Sequence, residues 1–218
     1  MKTAIVLGAT GLVGREIVSR LEADPQVDRI VLLTRRAPDR AVSSKVEVRI
    51  TDFRDPASFA QGLEGDALFS SLGTTLRAAG SKDAQYEVDY TFQYHVAKAA
   101  RAVGVPAIGL VSSLGADAGS SMFYNRIKGE LERDVIALGF QRTRIVRPSI
   151  LDGDRGESRP AEAAGMLVMR GLGKLPGISK YRPIPVRTVA RALVELVSDP
   201  RPGVTITESN DLFALGEA

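Results

Sequence analysis

The chain of 218 residues contains no cysteine and no tryptophan, and its single histidine is His95. Without thiols there is no disulfide framework, thiolate nucleophile or zinc–thiolate centre, and one histidine cannot build a His-rich metal site. No metal is therefore expected. No apolar run reaches the roughly 18 residues that a membrane-spanning helix requires. Blocks of like charge are also missing. Lys+Arg number 29 against Asp+Glu 26, a formal net charge of +3, and the charges are too scattered to suggest nucleic-acid binding. Hydrophobic residues at 44% and charged residues at 25% sit at globular averages, which excludes a disordered or fibrous chain. The N-terminus, Met1-Lys2-Thr3-Ala4-Ile5-Val6-Leu7-Gly8, enters a strand-like run with no apolar signal stretch or small-residue cleavage site. A cytoplasmic location is the expectation.

What is present is an alternation of two periods. Apolar β-branched runs predict strands at 3–8, 29–34, 46–50, 66–71, 106–112, 142–147 and 203–207. Helical periodicity predicts helices at 12–23, 56–61, 82–103, 121–138, 160–171 and 186–198. Runs such as Ala4-Ile5-Val6-Leu7 and Ile30-Val31-Leu32-Leu33 suit strands covered on both faces. Strand–helix alternation implies right-handed crossovers, hence an α/β fold with a doubly wound parallel sheet, a Rossmann fold. The alternation falters after Arg147-Pro148, where charged, turn-forming and then Gly- and Pro-rich stretches follow. Residues 1–218 are read as one nucleotide-binding domain in which about 148–185 form a small C-terminal, substrate-side cap.

Gly8-Ala9-Thr10-Gly11-Leu12-Val13-Gly14 joins the first predicted strand to the first predicted helix. In that position Gly8 permits the tight turn, Gly11 lets the backbone approach a pyrophosphate, and Gly14 lets helix and sheet pack closely. The helix N-terminus adds unpaired N–H groups and the positive end of a dipole. The second strand ends in Thr34-Arg35-Arg36, with no carboxylate before Asp39. An NAD-preferring site uses an acidic residue there for the ribose hydroxyls, whereas two guanidinium groups suit a 2′-phosphate. NADP(H) is the cofactor so implied. Asp52-Phe53, just after the third strand, are placed to flank the adenine.

Tyr-x-x-x-Lys puts both side chains on one helical face. A phenol, with an unperturbed pKa of about 10, is a poor acid–base group at neutral pH. A nearby ammonium favours the phenolate, so such a tyrosine can exchange a proton with a carbonyl oxygen. The pattern occurs as Tyr94-x-x-x-Lys98 and as Tyr124-x-x-x-Lys128. Tyr124 follows Ser112-Ser113 at the C-terminal end of a buried strand, the end where open α/β sheets bind ligands. Tyr94 continues a stripe with Tyr86 and Tyr90 that reads equally as a core face or a homodimer face, and His95 beside it as structural or surface. Tyr124 and Lys128 are the catalytic candidates.

With the glycine loop, Ser112-Ser113 and Tyr124/Lys128 in this order, the chain resembles the short-chain dehydrogenase/reductase superfamily over essentially its whole length. It is most similar to an atypical branch, the Tat-interacting-protein-like oxidoreductases. The residues that carry this are Thr34-Arg35-Arg36, Ser71-Leu72-Gly73-Thr74-Thr75, Ser112 to Asp117, Tyr124-x-x-x-Lys128-Gly129-Glu130, Arg147-Pro148 and Asp154 to Pro160. The resemblance implies an NADPH-binding Rossmann domain. It places Thr10, Gly11, Leu12 and Val13 on the pyrophosphate and Arg35 and Arg36 on the 2′-phosphate. Leu72 and Gly73 line the ribose–nicotinamide path, Tyr124 and Lys128 reach the nicotinamide ribose, and Leu151 and Arg159 close over the cofactor. Ser71-Leu72-Gly73-Thr74 stands where many members carry Asn-Ala-Gly. Either Ser112 or Ser113 could orient a substrate carbonyl, and Ser113 is narrowly favoured.

The expected function is an NADPH-dependent oxidoreductase that reduces a small carbonyl substrate with Tyr124 as proton donor, Lys128 supporting it and a Ser112/Ser113 hydroxyl polarising the carbonyl. One alternative is a regulatory protein that binds NADPH and signals its occupancy to a protein partner without turnover. Another, a nucleotide-sugar epimerase or dehydratase, suits so short a cap poorly.

Overall fold

A computed structural model describes residues 1–153 and 181–217. Seven strands form one parallel sheet: β1 (Thr3–Leu7), β2 (Arg29–Thr34), β3 (Val46–Ile50), β4 (Ala67–Ser70), β5 (Ala107–Val111), β6 (Arg142–Arg147) and, after a short pair β7 (Leu151–Asp152) and β8 (Ile184–Pro185), β9 (Gly203–Glu208). The strand order is β3-β2-β1-β4-β5-β6-β9, and β7 pairs with β8 apart from it. The order reverses between β1 and β4, which places a topological switch point at the C-terminal ends of those two strands. The helices are α1 (Leu12–Ala23), α2 (Ala57–Ala60), α3 (Leu76–Ala79), α4 (Lys82–Tyr86), α5 (Phe92–Ala102), α6 (Phe123–Ala137), α7 (Val186–Ser198) and α8 (Ser209–Glu217). A π-helical turn, Glu87–Thr91, links α4 to α5.

The period of two along each strand produces two cores. Ala4, Val6, Ile30, Leu32 and Phe69 face Val13, Ile17 and Leu21 of α1 and Val189 and Leu193 of α7. Their neighbours Ile5, Leu7, Val31, Leu33 and Leu68 face Phe59, Phe92, Val96, Leu131 and Val135 on the other side. Both faces of β1 and β2 are buried, which is why those strands read as unbroken apolar runs rather than alternating ones. The glycine in β5 has a packing cause: a Cβ on Gly109 would lie 2.7 Å from Val197 Cγ2 and 3.1 Å from Leu193 Cδ1, both on α7. Gly109→Val is expected to lower stability by about 1–3 kcal/mol through overpacking, read as a denaturant midpoint shift, with part of the loss recovered in a Val197→Ala background.

The predicted strands and longer helices match within two residues, with one informative exception. The helix predicted over 82–103 is interrupted by the π-helical turn, which carries the fully buried Asp89. Three elements carry too few residues of either period to be predicted: α3, capped by Thr75 Oγ1 and closed by Gly80 at φ 85°, the β7–β8 pair, and α8. The predicted helix 160–171 and most of the proposed cap at 148–185 lie outside the described residues.

The tyrosine stripe turns inward toward α6. The rings of Tyr86 and Tyr90 meet at 4.8 Å between centroids, tilted by 31°, and Tyr90 and Tyr94 stack at 5.7 Å. Tyr86 Oη donates to Glu130 Oε2 at 3.1 Å, and Tyr90 Oη to Asp134 Oδ2 at 2.7 Å. Burial, then the Asp134 carboxylate, pushes the Tyr90 phenol far above its ordinary pKa, so this tyrosine stays neutral. His95 is exposed.

Candidate functional site

The glycine loop sits at the switch point, and each glycine answers to a different neighbour. Gly8 has φ +88°, and a Cβ there would lie 2.7 Å from Leu72 N. A Cβ on Gly14 would lie 2.0 Å from Gly8 O and 2.9 Å from Ser71 Oγ. Gly11 differs, with φ −78° and ψ 171°, backbone that any residue adopts. Its Cβ would press only on Gly8 O at 3.3 Å, with Ser71 O at 4.0 Å beyond. The protein's own packing therefore accounts for Gly8 and Gly14 but hardly for Gly11. As N-cap of α1, Gly11 has no side chain to cap the helix, and the first turn carries no acidic residue. The N–H groups of that turn and the positive end of the dipole are left for an anion.

Two adjoining cavities share Gly11 and the strip Ser71-Leu72-Gly73-Thr74 that follows β4. The first, of about 430 Å³, reaches from Gly8 and Thr10 to Arg35, Asp52, Phe53 and Arg54. Arg36 does not line it. Asp39, the first carboxylate after β2, is paired with Arg15 at 2.9 Å. Arg54 makes a two-pronged contact with Glu87 at 2.8 and 2.7 Å. The Asp52 carboxylate accepts the Arg54 N–H at 3.0 Å, and the Phe53 ring is buried beside Phe59 and Phe92. Phe53 thus supplies wall rather than an exposed stacking face.

The second cavity, of about 640 Å³, is lined by Leu12, Val13, Val111, Ser112, Tyr124, Lys128 and Leu151 among others. Neither Tyr94 nor Lys98 lines either cavity, so of the two Tyr-x-x-x-Lys pairs only Tyr124 and Lys128 open onto this space. Tyr124 is partly exposed, and Lys128 Nζ lies 5.9 Å from its ring centroid. The ammonium is itself 3% exposed and lies 3.0 Å from Oδ1 of Asp89, which is 0% exposed. The other Asp89 oxygen accepts the Thr74 N–H at 3.0 Å. Burial works against the Lys128 charge, but Tyr124, Asp89 and Glu132 together outweigh it and hold the pKa above the ordinary lysine value.

The serines part company. Ser112 is 4% exposed, lines the cavity, and its Oγ has no hydrogen-bond partner among the described residues. Ser113 lines neither cavity, and its hydroxyl reaches only the Leu114 carbonyl at 3.5 Å. The chain turns after β5, so that Ser112 and not the favoured Ser113 faces the space beside Tyr124. Arg159 lies outside the described residues. Asp89 was not anticipated; its one sequence signal is a carboxylate interrupting the apolar face of a helix, in Glu87-Val88-Asp89-Tyr90.

The residues present fit a dinucleotide. The uncapped α1 N-terminus suits its phosphates, the open space beside Gly11 admits its backbone contact, and the orphaned Ser112 hydroxyl faces the far cavity. No cluster of metal-ligating side chains occurs among the described residues, and no described helix is long and apolar enough to cross a membrane.

Comparison with known proteins agrees. The profile of the NAD(P)H-binding family matches residues 8–200. The protein fmp52, mitochondrial, of Emericella nidulans is 42% identical over 182 residues, covering 80% of this chain and 78% of the relative. Its namesake in Aspergillus fumigatus is 36% identical over 224 residues, covering 99% and 95%. These mitochondrial names overturn the cytoplasmic location expected from the N-terminal run. Among solved structures, a short-chain dehydrogenase/reductase superfamily protein of Agrobacterium tumefaciens with bound NAD matches with a TM-score of 0.72, at 15% identity over 95% of this chain and 77% of that one. A UDP-glucose 4-epimerase of Thermotoga maritima matches with 0.71, at 15% identity over 99% and 81%. At such identities the structures share the fold.

Proposed function

We propose that this chain, which belongs to the NAD(P)H-binding family of short-chain dehydrogenase/reductase-like oxidoreductases, is an NADPH-dependent reductase of a small carbonyl compound. The observation that carries the reading is the meeting, on one cavity, of the Tyr124 phenol, the buried Lys128 ammonium and the unpartnered Ser112 hydroxyl, next to an uncapped helix N-terminus. Bound across the two cavities, a nicotinamide dinucleotide supplies hydride. Thr10 to Val13 hold its pyrophosphate through backbone N–H groups, and Arg35 meets the 2′-phosphate. Leu72 and Gly73 line the path to the second cavity, with Leu151 across from them. Ser112 Oγ donates to the substrate carbonyl oxygen, and Tyr124 Oη transfers its proton to that oxygen as negative charge develops there. Lys128 favours the phenolate that this leaves behind. The selectivity for NADPH over NADH rests on Arg35, with Asp39 already engaged by Arg15.

The test is a titration of NADPH and NADH, followed by the nucleotide's own fluorescence, on wild type and on the Arg35→Ala and Arg36→Ala variants. NADPH is expected to bind at least about tenfold more tightly, with that preference lost in Arg35→Ala and largely kept in Arg36→Ala. Equal affinities in the wild type dismiss the NADPH assignment. Failure to bind either nucleotide dismisses the whole site.

A further inference from the structure

We propose that the carbonyl compound reduced at this site is an oxo acid, and that Lys82 is the specificity-determining residue that meets its carboxylate. The inference rests on the reductase reading above and names the substrate class of the same cavity. What carries it is a charge imbalance on a largely apolar wall. Among the described residues that line the second cavity, the cations are Lys82 and Lys128, and no aspartate or glutamate stands with them. Asp89, from outside that lining, answers the Lys128 ammonium at 3.0 Å. Lys82 has no such answer, for it makes no ion pair with a described residue. Its ammonium lies 5.3 Å from the centroid of the Phe123 ring, within the range of a cation–π contact. Phe123 directly precedes Tyr124 at the start of α6, so this contact keeps the free charge at the wall that carries the proton donor. Arg126 lies 5.8 Å from the same ring, but it does not line the cavity and donates to the Ser120 carbonyl at 3.0 Å.

The rest of the wall sets what sort of molecule brings the negative charge. Leu12, Val13, Leu76, Val111 and Leu151 offer apolar surface to a carbon stem, and a few polar groups then fix its orientation. Ser112 and Tyr124 take the carbonyl oxygen at one end, and Lys82 takes the other end. A carboxylate brings one negative charge, which one ammonium matches. A phosphate monoester brings about −1.5 to −2 and calls for a second cation, whereas Lys128 is already matched by Asp89. The carboxylate takes no part in the transfer. Hydride from the dinucleotide adds to the carbonyl carbon, and the Tyr124 proton goes to the oxygen. The products are a hydroxy acid and the oxidised dinucleotide, and the tyrosine regains its proton from solvent.

The experiment measures kcat and KM for straight-chain oxo acids of increasing length, each beside its own methyl ester, at low and at raised salt. Wild type, Lys82→Met, Lys82→Arg and Lys82→Glu are compared, and NADPH affinity is titrated in each. Lys82 is exposed, so its replacement leaves the core intact. Wild type is expected to favour the acid over its ester through KM rather than kcat. Solvent screens a contact made at an exposed lysine, so Lys82→Met is expected to lower that preference by about fivefold. Lys82→Arg should keep most of it, and Lys82→Glu should reverse it. Raised salt should shrink the preference in wild type and change it little in Lys82→Met. A wild type that reduces esters as readily as acids overturns the proposal, as does a Lys82→Met that keeps the preference. So does a Lys82→Met that loses NADPH affinity as much as affinity for the acid, because the ammonium would then serve the cofactor. A wild type that binds NADPH and reduces neither acid nor ester instead overturns the reductase reading, so the two failures are distinct.

Discussion

Tyr124→Phe is expected to lower kcat for carbonyl reduction by about 10²–10⁴-fold while leaving NADPH affinity nearly unchanged. The substitution removes one oxygen from a partly exposed ring at the cavity wall and leaves the ring's packing in place. Lys128 keeps its contact with Asp89, since that ion pair does not involve the phenol oxygen. Binding therefore survives, and what disappears is the proton delivered to the carbonyl oxygen as it gains charge. Ser112 Oγ alone can donate a hydrogen bond there, but an aliphatic hydroxyl is too weak an acid to complete the transfer. Steady-state turnover alongside a direct nucleotide titration checks both halves. Full turnover in Tyr124→Phe would remove the tyrosine as acid. A wild type that binds NADPH tightly yet reduces no carbonyl compound would favour a nucleotide-sensing role instead.

The architecture was legible in the sequence because two physical periods were written plainly. Strands buried on both faces, as at Val31-Leu32-Leu33, are apolar without interruption, and α7 shows its inward stripe at Val189, Leu193 and Val197. The glycine loop was legible for the same kind of reason, since Gly8 and Gly14 are forced by contacts inside the chain. Tyr124 and Lys128 could be preferred over Tyr94 and Lys98 because they follow a strand end, and of the two pairs the first lines the second cavity at the switch point while the other lines neither of the two cavities there. Three things were out of reach. The choice between Ser112 and Ser113 depends on how the backbone turns after Val111, which spacing does not encode. Arg36 looked equivalent to Arg35, but only one of the two adjacent side chains faces the cavity. Asp89 was hidden because its partners, Thr74 and Lys128, are 15 and 39 residues away by number (89 − 74 and 128 − 89), and helical periodicity reports neighbours of three and four.

The sharpest separation of folding from binding should come from the second and third glycines of the loop. In Gly14→Ala, the new methyl would stand 2.0 Å from Gly8 O, 2.8 Å from Gly8 C and 2.9 Å from Ser71 Oγ. Two of those three atoms are backbone, so no side-chain rotation relieves the clash; α1 must lift from the sheet. That movement strains the packing of Val13 and Ile17 on the core, an overpacking loss of about 1–3 kcal/mol. It also displaces the N–H groups meant for the pyrophosphate, and a shift of about 1 Å at such a contact costs on the order of a hundredfold. Gly14→Ala should therefore lose stability and NADPH affinity together. Gly11→Ala meets only Gly8 O at 3.3 Å, in a backbone conformation that alanine adopts freely. Its melting temperature should stay close to wild type, while the methyl, standing in the space the pyrophosphate needs, should weaken NADPH by about tenfold or more. The comparison requires both proteins in the same thermal melt and the same nucleotide titration. Undiminished binding in Gly11→Ala would mean that the second glycine of the loop answers to nothing outside the chain, and that the phosphates lie elsewhere.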